Sequence, residues 1–154
     1  MFAFLLIALA AMALAMSSWF RPLPSTNATA PRAPIYTDQQ VASAKASVCA
    51  AFGQVDHALA LAYARSGDTD STSQLAVATS TQLTLEAGSR YLLATLSEQP
   101  ASPPDLATAA RKQANAYQKA LIGFLNGLRV SDPSQQSTVK ASDDATETLR
   151  RLCK

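Results

Sequence analysis

The sequence predicts an all-α protein, an N-terminal transmembrane helix followed by an up-down-up-down four-helix bundle closed by one disulfide. Three features predict it. Residues 2–20 carry no charge; four stretches with apolar side chains at helical spacing follow, separated by Gly- and Pro-bearing turns; and two cysteines, Cys49 and Cys153, stand far apart within the helical part. No alternating strand pattern or Asn-Gly hairpin interrupts the helical periodicity. At 154 residues the chain has room for one domain and an anchor: 1–20 as the transmembrane anchor, 21–36 as a linker and 37–154 as an extracytoplasmic helical bundle.

In the anchor, the uncharged run from Phe2 to Phe20 would extend about 28 Å as a helix, close to the hydrocarbon thickness of a bilayer. Trp19, Phe20 and Arg21 form an interfacial belt at its end. A cleaved signal peptide is the competing reading, with Ala13, Leu14 and Ala15 as its small-x-small site. Ala8, Ala11, Ala15 and Ser18 recur at steps of three and four, a face over which a partner membrane helix can approach closely. By charge alone, Arg21 and Arg32 on the C-terminal flank favour a domain on the inside. The disulfide-capable domain outweighs them, and the expected location is the cell membrane, single-pass, with the C-terminal domain on the extracytoplasmic, periplasmic side.

Residues 21–36 hold four prolines among Ser, Thr and Ala, the composition of an extended, semi-rigid spacer. Thr37 with Gln40 is a capping box, and Val41, Ala44, Val48, Phe52, Val55, Leu59 and Ala62 follow as one stripe. Ser71 with Gln74 caps a second helix carrying Leu75, Ala78, Leu85, Leu92 and Leu96, with Gly88 on that stripe permitting close packing. Ser102-Pro103-Pro104-Asp105 opens a third, with Leu106, Ala110, Tyr117, Leu121, Phe124 and Leu128. Asp132-Pro133-Ser134-Gln135 repeats the device before a fourth with Val139, Ala145, Leu149 and Leu152.

If the first and fourth helices are antiparallel neighbours, Cys49 and Cys153 fall about one helical turn apart in depth, close enough to bridge. A bridge over a loop of about 100 residues contributes roughly 4–5 kcal/mol by chain entropy.

Composition and motif content exclude several functions. Thirteen Lys and Arg, less Arg21 and Arg32 ahead of the domain, leave eleven against eleven Asp and Glu, so the domain lacks the cationic footprint of a nucleic-acid binder. His57 is the sole histidine, and its neighbour Asp56 points about 100° away on a helix, so the two are not a prebuilt catalytic dyad. With the cysteines paired, Asp56, His57 and Glu86 are a poor set for zinc. All three methionines lie in the anchor and no haem-attachment motif occurs. No phosphate loop or nucleophile elbow is present either. The reading is a non-enzyme with no catalytic residue, metal or cofactor. Asp143, Asp144 and Glu147 read as a solvated face, and Arg150, Arg151 and Lys154 as cations on a helix C-terminus.

YTDQQVASAKASVCAAF at 36–52, ASPPDLATAA at 101–110 and LRRLC at 149–153 resemble alanine-rich, membrane-anchored exported proteins of mycobacteria and related actinobacteria to which no activity is assigned. The resemblance implies an accessory subunit of an envelope complex such as the respiratory supercomplex. The expected partners are therefore a membrane protein complex and the lipid bilayer, with no nucleic acid. The alternative is an extracytoplasmic carrier or sensor that holds an apolar ligand between helices beside Tyr91, Tyr117 and Phe124.

Overall fold

The computed structural model describes residues 35–64 and 70–154. The anchor at 1–20, its packing face (Ala8, Ala11, Ala15, Ser18) and its belt (Trp19, Phe20, Arg21) lie outside the described residues, as does all but the end of the linker. Among the described residues no helix is long and apolar enough to cross a membrane.

Among the described residues of the unit Tyr36–Lys154 there are four helices: α1 (Asp38–Ala64), α2 (Ser71–Glu98), α3 (Pro104–Leu125) and α4 (Pro133–Leu152). The expected capping box opens α1: the Thr37 amide donates to Gln40 Oε1 at 2.9 Å and the Gln40 amide to Thr37 Oγ1 at 3.3 Å. The other three starts differ from the sequence reading. Asp70, one residue ahead of Ser71, caps α2 by accepting from the Thr72 and Ser73 amides, since an ionised carboxylate also complements the positive helix end. At α3, Pro103 and Pro104 lack N–H groups, so Ser102 has fewer donors to cap and turns back to donate to the Gln99 carbonyl. Before α4, Asp132 accepts from the Arg129 amide across the turn instead of capping the helix.

α3 ends sooner than its apolar stripe. Gly127, at φ +80°, lets the Leu128 amide bond the Gly123 carbonyl and its own amide bond that of Phe124, a Schellman closure that places Leu128 beyond the helix.

Successive helices pack on one another in chain order, whereas α1 and α4 share little backbone contact. The core joins Val48, Phe52 and Val55 of α1 to Leu85, Leu92 and Leu96 of α2, Leu106, Ala110, Ala114 and Tyr117 of α3, and Leu149 of α4. Leu75, at 68% exposure, and Ala78 stand outside this core, in a first stretch of α2 (71–80) where every residue is exposed or only partly buried. A β-carbon at Gly88 would come 2.6 Å from Val55 Cγ1, so the bare backbone there sets how closely α1 and α2 approach. α4 brings few apolar groups to the core, chiefly Ala145 and Leu149, and is held by other means.

Candidate functional site

Cys49 and Cys153 are joined, with Cα atoms 5.5 Å apart and 104 positions between them in sequence. Cys49 lies mid-helix in α1 and Cys153 directly after α4, and both are half-buried against the core. Two turns along α1, Asp56 accepts from Arg150 Nη2 at 2.9 and 3.1 Å. The pairs 49 with 153 and 56 with 150 run in opposite sequence directions, so α1 and α4 are antiparallel along this seam. Where backbone contact is sparse, a covalent bond and an ion pair tie the two helices.

Behind the ion pair lies a polar seam between α3 and α4. Gln113 is fully buried; its amide Nε2 donates to Ser142 Oγ at 2.9 Å and its Oε1 accepts from Thr146 Oγ1 at 3.0 Å. Further along, buried Gln135 donates from Nε2 to the Ala120 carbonyl at 2.9 Å, and it sits so close over Gly123 that a β-carbon there would collide with its amide. Every buried side-chain nitrogen and oxygen among the described residues has a partner, as burial in a low-dielectric core demands.

Tyr117, one turn from Gln113, is buried with its phenol pushed up to about 12. Loss of solvation is the main cause; the hydrogen bond with Gln113 opposes it, Asp56 and Tyr63 add to it, and Arg150 offsets part. The half-exposed Tyr63 phenol is raised by burial and then by Asp143. The Arg150 guanidinium is raised by its hydrogen bond to Asp56. These shifts follow from a neutral phenol packed beside a surface ion pair, and none creates a general base near neutral pH.

The residues considered for chemistry are dispersed. His57 is exposed on α1, Asp56 is engaged by Arg150, and Glu86 pairs with Arg90 on its own helix. No group of three or more His, Cys, Asp or Glu among the described residues is placed to hold a metal ion. Arg150 lies in the last turn of α4, as read from the sequence, and also reaches another helix. Of the residues suggested for an apolar ligand, Tyr117 is sealed in the core, Phe124 is half-buried, and Tyr91 faces an outer cleft.

Clefts open on the outside of the bundle, two of them between successive helices among the described residues. One, of about 430 Å³, runs between α1 and α2 past Ala58, Leu83, Ala87 and Tyr91. The other, of about 940 Å³, runs between α3 and α4 and carries Lys112 and Lys119. Neither cleft nor the Gln113 network was apparent from the sequence. A glutamine falling on the same helical face as Ala110 and Tyr117 was the one signal that could have exposed the network.

Fold and seam together define a class: a disulfide-closed, all-α helical bundle. Compared with known proteins, the chain matches no family model, no curated protein and no solved structure.

Proposed function

We propose that this chain is a non-enzymatic accessory or interaction subunit of a membrane protein complex. A single transmembrane helix at 1–20 holds it, and an up-down-up-down bundle stands on the extracytoplasmic side, in an envelope assembly such as the respiratory supercomplex. The observation that carries the reading is the Cys49–Cys153 bond, since a structural disulfide belongs to an oxidising compartment. The uncharged run 2–20 with its small-residue face supports attachment through a partner membrane helix. The dispersed titratable groups support a binding role over a catalytic one.

The test has two arms. Mild-detergent extraction through a C-terminal tag is expected to bring down a defined membrane complex, and a monodisperse lone protein would overturn the subunit role. Thiol alkylation of freshly isolated material without reductant is expected to leave both cysteines unlabelled. Labelling of both would remove the extracytoplasmic assignment. Of the three aromatic residues of the carrier reading, Tyr91 alone lines an open cleft among the described residues, that between α1 and α2, and Tyr117 belongs to a filled core.

A further inference from the structure

We infer that the outer groove between α3 and α4 docks an acidic α-helix of a partner protein. Ala109 and Ala116 of α3 and Ala145 of α4 are buried at its base, with exposed Ala141 at its lip. From Pro104 to Lys119 the α3 wall runs about 22 Å, four turns of helix. Small side chains at a helix contact let a third backbone approach to the short end of the usual interaxial range. The volume of about 940 Å³ lies recessed between two ridges. A rod can fill such a trough, whereas the plane of a lipid surface meets only the ridges.

Charge selects the occupant. Lys112 and Lys119, seven residues apart and so on one face of α3, line the groove and form no ion pair among the described residues. Arg111, exposed beside them, is likewise without an ion-pair partner there. The carboxylate across the groove, Asp144, is already bound by Lys140 at 3.0 Å through both oxygens. Asp105 at one end is the remaining acid of the lining. The α3 wall thus sets two unpaired lysines against the single carboxylate of Asp105, in a domain near neutral as a whole. A second copy meeting this groove with its own groove would bring the same cations face to face, and the complementary occupant is a partner helix with carboxylates at a seven-residue spacing and small residues between them.

This inference deepens the interaction-subunit reading and rests on it. A peptide probe tests the groove alone, so its failure leaves the co-purification result standing. The experiment uses the full chain in detergent and a fluorescent, alanine-rich four-turn peptide with glutamates seven residues apart, beside a control peptide with lysines in their place. Fluorescence anisotropy is expected to show the glutamate peptide binding at least about tenfold more tightly at low salt, as two exposed ion pairs at the upper end of their ordinary worth supply. Lys112→Glu with Lys119→Glu should abolish that preference. Ala141→Tyr, at an exposed position that fills the trough and leaves the charges untouched, should weaken the glutamate peptide by a similar factor. Circular dichroism checks that all three substitutions leave the helices intact. Equal binding of the two peptides, or an Ala141→Tyr protein that binds like the native one, overturns the proposal. So does sedimentation with anionic phospholipid vesicles that depends on the lysines and ignores Ala141→Tyr, which would assign the charge to a membrane surface.

Discussion

Where α1 meets α2, the branched side chain of Val55 lies over the bare backbone of Gly88, and the core around it is apolar on both helices. Where α3 meets α4, a buried glutamine ties two hydroxyls on the facing helix and a second glutamine bonds a backbone carbonyl. The first seam is stabilised by fit and apolar burial and tolerates sliding poorly because volume is conserved in a packed core. The second has few apolar groups to bury on the α4 side. Its hydrogen bonds fix which face of α4 looks inward, and the disulfide keeps that helix from leaving. One bundle therefore uses two solutions, and the choice follows how much apolar surface each helix brings.

The largest expected effect tests whether α4 depends on its covalent tie. Cys49→Ser with Cys153→Ser, or reduction of the native protein, should cost about 4–5 kcal/mol in chemical denaturation, from the loop entropy of a link across 104 positions. A loss below about 1 kcal/mol would mean that the polar seam holds α4 unaided. On the apolar side, Leu92→Ala removes a fully buried side chain and should cost about 3 kcal/mol in the same assay.

The alkaline limb of stability reports on the polar seam. In the folded protein the Tyr117 phenol is pushed up to about 12 by burial, above its ordinary 10, so the native state holds a proton that the unfolded chain releases. The stabilisation is complete below pH 10 and is lost as pH rises from 10 to 12, an expected fall of about 2–3 kcal/mol. Tyr117→Phe should flatten that part of the pH profile by this amount. A profile unchanged by the substitution would show that the phenol is solvated.

Two smaller effects separate fit from hydrogen bonding. Gln113→Leu keeps the bulk and strands the Ser142 and Thr146 hydroxyls, and about 1–2 kcal/mol is expected from thermal melts. Gly88→Ala gains helix propensity but drives a methyl into Val55, for a net loss of about 1 kcal/mol that should vanish when Gly88→Ala is added to a Val55→Ala background and compared with Val55→Ala alone. If Gly88→Ala stabilises the protein, the close approach of α1 and α2 is not a constraint.

Much of the fold was legible because helix signals are local. The box of Thr37 and Gln40, the stripe of Ala44, Val48, Phe52 and Val55, and the small residue at 88 each depend on neighbours within one or two turns. The cap at Asp70 was misplaced by one residue because Asp70 and Ser71 are both good caps and only the backbone of the turn chooses between them. Ser102 and Gln135 carried capping patterns and took other partners, since a local pattern does not say what else lies within reach.

The candidate surfaces were less legible. No motif in the sequence sets Lys112 and Lys119 apart, and their meaning came only from the alanines and the engaged Asp144 that the fold set around them. Arg150 similarly looked like a terminal charge until α1 was placed beside it.

By itself the sequence determined four helical segments, where they begin to within a residue or two, and that two distant thiols could meet, because these follow from helical periodicity and chain geometry. The tertiary structure alone decided that Asp56 meets Arg150, that Gln113 is satisfied across α3 and α4, and that one groove keeps its cations unpaired. The physical reason is that partnership between side chains depends on the rotation and depth of each helix, which are set by packing across the whole core and not by any stretch of the chain taken separately.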